Sequence, residues 1–441
     1  MNQEYGSAEL LFGFSQCYIT DFSEVIKDGH TCKQFSIEYK GFLPDICPKC
    51  GKRLYKHGAR TISILDTPFG GEPTEILLLY PRKHCKDCGY TWKPTFQNID
   101  EKHNMTNRAV KDITHKALHL TFKDASDGYL LNERTVQRVF VDWIREQEKA
   151  FRFKTPHFLG LDEIIDKKLK ELTVITDLEH HTLYDILQGR NQAALTAYFE
   201  KIPETDRMDI DWVCTDMYRP FEKSIKTAFP NARWTIDHFH IVMKANEALD
   251  DVRRKLQTPL PKELRLLTKK KLAYTLKKRT KDLNAIEASR IRTLREIPDF
   301  EPLIQAYDLK EEFFEIFDIG RYGKEEAAEA FDAWTMKLPM DNPLYEKYVT
   351  LGKTVHNFYE EIFQTWDCPI AISNAFTEAT NRVIREMSLR GRGYSFEVLR
   401  GRALYRDTNF DRLKSYDLLG PSIDDSTEDE EVDEEGNDMS I

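Results

Sequence analysis

No stretch of the 441-residue sequence approaches the roughly 20 apolar residues a helix needs to cross a bilayer, and runs such as EILLLYP near residue 78 fall far short. The opening residues, MNQEYGSAELLFG, lack a basic segment followed by an apolar one, so nothing there reads as a secretion signal. These absences lead us to expect a cytoplasmic protein with no membrane partner. Lysine and arginine are missing from residues 424–441, DDSTEDEEVDEEGNDMSI, which carry ten acidic residues. The net charge of −10 therefore belongs to the tail, because the 64 basic residues all lie in the remainder, where they meet 64 acidic ones. A run this polar buries too little apolar surface to order itself, so residues 421–441 are expected to be a disordered acidic tail. Within the neutral body, basic clusters such as KELRLLTKKKLAYTLKKRTK and REMSLRGRGYSFEVLRGRALYR leave room for local basic surfaces despite the low pI.

Cysteine is scarce, with eight in the chain, but four form two CxxC pairs: Cys47 and Cys50 in CPKCG, Cys85 and Cys88 in CKDCG. Each pair is followed by a glycine, which a tight knuckle around two thiolates requires. Between the knuckles, RTISILDTP and PTEILLLYPRKH read as strands joined by a Gly-Gly turn. The pattern predicts a zinc ribbon over residues 46–98 holding one structural Zn²⁺ on four thiolates, against the alternative of unrelated reduced or redox cysteine pairs. Cys17, Cys32, Cys214 and Cys368 are expected to be unligated. Residues 1–45 show no clean period and are left unassigned.

From residue 104 to residue 150 the period turns helical. Val110, Ile113, Ala117 and Leu118 mark one apolar face, and Val136, Val139, Phe140, Trp143 and Ile144 another. A short helix, a Gly-containing turn and a longer helix capped by Asn132 would make a helix-turn-helix presenting Arg134, Gln137 and Arg138 to DNA, although helix pairs in small α domains look similar. Residues 155–238 then give three strand runs, HFLGLDEII, ELTVITDL and TLYDILQG. Helix, strand, helix and strand follow, which is the order of an RNase H-like mixed sheet. Residues 239–370 read as an all-helical insertion, and residues 371–415 as the returning C-terminal helix with an Arg-rich segment. The expected class is multi-domain α+β: zinc ribbon, helix-turn-helix, then an RNase H-like catalytic domain interrupted by helices.

Asp162 ends the apolar run of the first of these strands and Asp216 that of the fourth, strands adjacent in such a sheet. Glu378, on the later helix, is the candidate third carboxylate. Oxygen-only ligation suits Mg²⁺ or Mn²⁺, and two such ions about 3.5–4 Å apart serve in-line phosphoryl transfer. On the helix of Glu378, Asn381 and Arg385 share its face, with Arg385 two turns or roughly 10 Å away. Those two residues and the following Arg390 and Arg392 are expected to contact DNA. The bland alternatives are strand-end caps and a salt-bridged helix face. Asp237, with His238 and His240 nearby, also ends a strand; Asp237 and His240 are assigned supporting roles, because strand adjacency favours Asp216.

The segments FLGLDE, WVCTDMYRPF, FPNARWTIDHFHIV and ISNAFTEATNRVIREMSLRGRGYSFEVLRGRAL resemble the DDE transposases of bacterial insertion sequences, most closely the ISL-three group. The resemblance covers roughly residues 45 to 415, including both knuckles. It implies that Asp162, Asp216 and Glu378 are the catalytic triad, with Arg385 as the basic residue two turns on. It further implies binding to terminal inverted repeats and target DNA, metal-dependent strand cleavage and strand transfer, with a homodimer or higher homo-oligomer as the expected assembly on DNA. The competing readings are a non-catalytic DNA-binding regulator derived from a transposase and a structure-selective nuclease of the same fold.

Overall fold

The computed structural model describes residues 8–268, 270–318, 323–416 and 418–419, so the tail expected at 421–441 lies outside the described residues. The chain divides into two compact units, Met1–Arg152 with Leu419–Ile441, and Phe153–Leu418. Among the described residues no helix is long and apolar enough to cross a membrane.

The first unit opens with α1 (Ala8–Phe12), followed by β1 (Cys17–Lys27), β2 (His30–Tyr39), β3 (Leu54–Phe69) and β4 (Glu72–Cys85). Three short strands, β5 (Thr91–Trp92), β6 (Ile99–Asp100) and β7 (Met105–Thr106), complete a seven-stranded sheet ordered β1-β2-β4-β3-β7-β6, with β5 on β4. The residues left unassigned by sequence thus form a helix and an antiparallel hairpin, whose second strand runs parallel to β4. The hairpin joins that sheet because its apolar residues need cover: Phe35 and Ile37 pack with Phe12, Ile64, Ile76 and Leu78 in one buried cluster. The knuckle strands are accordingly longer than a bare ribbon needs, and they serve as the middle of a larger sheet.

Three helices follow where a pair was expected: α2 (Asn107–His119), α3 (Phe122–Ser126) and α4 (Glu133–Ala150). The extra turn exists because Thr121 caps it, its side chain accepting from the Asp124 N–H, just as Thr106 and Asn132 cap α2 and α4. Ile113, Ala117 and Leu118 of α2 and Val136, Val139, Phe140 and Ile144 of α4 are buried. A short strand β8 (Arg152–Phe153) ends this part of the chain.

The second unit is built on β9 (Phe158–Asp166), β10 (Lys170–Asp177), β11 (Thr182–Gln188), β12 (Trp212–Thr215) and β13 (Arg233–Ile236). Helices α5 (Gln192–Phe199) and α6 (Glu204–Met208) precede β12, and α7 (Arg219–Ala228) lies between β12 and β13. The sheet order is β11-β10-β9-β12-β13; β9, β10 and β11 are antiparallel, and β9, β12 and β13 are parallel. The long helix α8 (His238–Gln257) starts directly at the end of β13. It is followed by α9 (Lys262–Leu267), α10 (Lys270–Lys277), α11 (Ala285–Arg295), α12 (Glu301–Ile316), α13 (Lys324–Met336), α14 (Glu346–Asn357) and α15 (Tyr359–Phe363). These helices share one core with the sheet, since Leu161, Val213 and Ile236 belong to the same buried cluster as Phe300, Phe313, Trp334 and Tyr348. The chain returns as α16 (Ala375–Gly391), α17 (Phe396–Leu404) and α18 (Asp407–Tyr416), then ends its described part in β14 (Leu418–Leu419).

Candidate active site

Strand register brings three aspartates to one level. In the parallel pairing of β9 and β12 the last partners are Gly160 and Cys214, so two residues further on Asp162 comes level with Asp216. In β12 and β13 the last partners are Thr215 and Ile236, so one residue further on Asp216 comes level with Asp237. Asp162 sits inside its strand, which continues to Asp166, and not at its end as the apolar run implied. Asp216 and Asp237 each follow the last residue of theirs.

Helix α16 lies over β9 and β10 because Gly160 lets it approach. A Cβ there would stand 2.6 Å from Leu178 Cδ2, 2.6 Å from Thr377 Oγ1 and 2.7 Å from Thr176 Oγ1. Thr377 and Thr176 hydroxyls are 2.6 Å apart, and the buried Asn374 Nδ2 donates to the Leu161 carbonyl at 3.0 Å. At the far end Ser388 donates to Asp166 and Lys168 to the Gly393 carbonyl. With the helix so pinned, Asn381 Nδ2 donates to Asp162 Oδ2 at 2.6 Å, and Glu378 Oε1 comes 3.6 Å from His240 Nε2. Asp162 Oδ1 accepts from the Glu163 N–H at 2.8 Å, and Asp216 Oδ1 from the Tyr218 N–H at 3.0 Å.

All four carboxyls are held above their ordinary range. Burial is the main cause for Asp162, Asp216, Asp237 and Glu378; neighbouring carboxylates add to it and His240 opposes it in each case. Asp237 Oδ2, His240 Nε2 and Asn381 Oδ1 are buried without a hydrogen-bond partner. Atoms left in that state cost stability unless something fills the space between them.

The structure sets Asp162, Asp216 and Asp237 level on adjacent strands, and it gathers Asp237 and His240, given only supporting roles by sequence, within 4.8 Å of Glu378. The signal for them was present in IDHFH, where residues three apart at a helix start share a face. Asn381, expected to contact DNA, is 1% exposed here and donates to Asp162, a placing that suits orienting the carboxylate better than touching a base or phosphate. Arg385, Arg390 and Arg392 are exposed on α16 and its C-cap. In the first unit Arg134 and Arg138 are exposed on α4 and Gln137 is half-buried.

A second cluster is the knuckle pair. Cys47 Sγ is 3.6 Å from Cys88 Sγ and Cys50 Sγ is 3.5 Å from Cys85 Sγ, and all four sulfurs lie within 4.8 Å of one another. Both knuckles close alike: Gly51 N–H donates to the Cys47 carbonyl and Gly89 N–H to that of Cys85, with φ of 70° and 73° at the glycines. Burial raises the Cys47 thiol, but the Lys49 and Cys50 N–H groups and the adjacent thiols outweigh it and bring it down to about 7, whereas burial and the neighbouring thiols outweigh the Lys52 N–H and push Cys50 up to about 12. Four sulfurs so clustered fit a structural Zn²⁺. The rings of His57 and His84 lie 5.1 Å apart, tilted by 32°, outside this cluster.

Similarity to known proteins follows both clusters. The pattern of a transposase family matches residues 159–403, and that of the zinc-finger of transposases IS204/IS1001/IS1096/IS1165 matches residues 43–88. The transposase for insertion sequence element IS1557, from two strains of Mycobacterium tuberculosis, is 26% identical over 318 residues, covering 65% of this chain and 69% of the relative. Because the transposase match spans more than half of the sequence and takes in the whole carboxylate cluster, while the zinc-finger match takes in all four knuckle cysteines, the chain belongs to the ISL3 family of insertion-sequence transposases.

Proposed function

We propose that this chain moves an insertion sequence by binding its terminal inverted repeats and cleaving and rejoining DNA strands at Asp162, Asp216 and Glu378. The observation that carries the reading is the placing of Asp162 and Asp216 level on adjacent parallel strands, with Glu378 on the helix packed over β9. The sheet order β11-β10-β9-β12-β13, antiparallel on one side of β9 and parallel on the other, supports reading the unit as RNase H-like.

The unpartnered buried oxygens and the crowded carboxylates fit a hard divalent cation, Mg²⁺ or Mn²⁺. When bound, the cation supplies Lewis-acid activation of the attacking oxygen and stabilisation of the departing one. The chain's own contribution is order. Asp162 is fixed by the Glu163 N–H and the Asn381 amide, and Asp216 by the Tyr218 N–H, so neither carboxylate needs to reorganise when substrate arrives. Arg385, Arg390 and Arg392 place positive charge along and beyond the same helix to hold the phosphates of the DNA end. The zinc ribbon and the three-helix segment, acting as a helix-turn-helix through Arg134, Gln137 and Arg138, read the repeat, with a homodimer or higher homo-oligomer joining two ends.

The test is cleavage of linear DNA carrying the inverted repeats that flank the gene, beside the same DNA with scrambled repeats. Mg²⁺-dependent cutting confined to the element boundary is expected. Equal cutting of both substrates points instead to a structure-selective nuclease.

A further inference from the structure

The carboxylate cluster has a part that the triad does not use. His240 stands on the first turn of α8, three residues after Asp237, and directs Nε2 between two carboxylates: 3.6 Å to Glu378 Oε1 and 4.0 Å to Asp237 Oδ2. Neither separation is a hydrogen bond, so the imidazole faces both acids and bonds to neither. Asp237 is 1% exposed; one oxygen receives the Asn374 N–H at 3.4 Å and the other, Oδ2, has no partner. Asp237 is the N-cap residue of α8 yet makes no side-chain cap hydrogen bond within normal geometry, the Phe239 N–H being close enough only to favour its ionised form.

The spacing suits an ion. Two donors each about 2.1 Å from one cation stand at most about 4.2 Å apart, and the two His240 separations fall inside that limit. The three donor atoms together lie within 4.8 Å of one another, so a small side-chain rotation brings Asp237 and Glu378 onto the same ion. We propose that Asp237, His240 and Glu378 form a cation site with a nitrogen donor beside the Asp162–Asp216 pair, with Glu378 shared between the two. This rests on reading the cluster as a divalent-cation centre. Its donor set, one imidazole and two carboxylates, differs in kind from oxygen-only ligation. Imidazole favours transition-metal ions, so this position takes Mn²⁺ in preference to Mg²⁺. Asp237 is thereby a ligand in its own right.

The experiment is pulsed electron paramagnetic resonance of Mn²⁺ on the full, untagged chain, isotopically labelled at histidine nitrogen. A histidine nitrogen coupling is expected in the wild type and in Asp216→Asn, and is lost in His240→Asn, whose Mn²⁺ affinity falls by more than about tenfold. Circular dichroism checks the fold of each variant. Should His240→Asn misfold, Glu378→Gln serves in its place, with the same loss of coupling expected. Mn²⁺ that binds the wild type without any nitrogen coupling, or a coupling that survives in folded His240→Asn, overturns the inference and leaves the carboxylate centre standing. A wild-type chain that binds no Mn²⁺ outside the zinc ribbon overturns the centre itself.

Discussion

Asn381 and Arg385 stand one turn apart on α16, and burial separates their roles. Asn381 is enclosed and holds Asp162, whereas Arg385 is exposed. Asn381→Ala is expected to leave DNA affinity unchanged and to lower the cleavage rate by about 10- to 100-fold, because the carboxylate it orients loses its anchor. Arg385→Ala is expected to weaken DNA binding and to reduce the slope of log affinity against log salt by about one. Binding titrations at several salt concentrations, run beside single-turnover cleavage, check both. A loss of DNA affinity in Asn381→Ala would contradict its assignment. At this scale the sequence was partly legible. Asp162 and Asp216 were singled out because apolar strand runs lead into them, and Glu378 by its place on the returning helix; the structure sets the two aspartates level on adjacent strands. Helical spacing showed that Asn381 shares that face, but not that the sheet covers it, since cover depends on contacts with residues more than two hundred positions away.

At the scale of elements the decisive contact is that of α16 with β9, and its weak point is Gly160. Gly160→Ala is expected to cost about 1–3 kcal/mol, because the packed side chains of Leu178, Thr377 and Thr176 must yield to the new methyl group. Thermal melting should show the loss, and cleavage should fall with it as Glu378 moves away from the aspartates. Unchanged melting and activity would mean that the helix is held elsewhere. The strand and helix order of this unit was readable, because β9 to β13 alternate between short apolar runs and helical periods. Two other elements were missed. The hairpin of β1 and β2 was announced by Asp28-Gly29, both with positive φ, but its strands are irregularly patterned and only the neighbouring β4 explains their burial. Helix α3 is five residues long, too short for any period to show.

For the whole molecule, the two ion sites on which the proposals rest differ in donor type: four thiols in the first unit, and carboxylates with one imidazole in the second. Zinc removal and catalytic-ion removal should therefore have different consequences. Cys50→Ser is expected to release zinc, lower the stability of the first unit and weaken binding to the inverted repeats, while Mn²⁺ still binds the second unit. Metal analysis and a repeat-binding assay check this, and full zinc content in the variant would contradict the four-thiolate site.

The central claim is that the three carboxylates perform the chemistry while affinity for DNA resides elsewhere. Its most direct test measures binding and cleavage of DNA bearing the element ends in the same reaction, in Mg²⁺, for the wild type, Asp162→Asn, Asp216→Asn and Glu378→Gln. Each variant is expected to bind within about twofold of the wild type, because the phosphate contacts are intact, and to cut at least about a thousandfold more slowly. A correctly folded variant of any of the three that cuts at the wild-type rate would contradict the account.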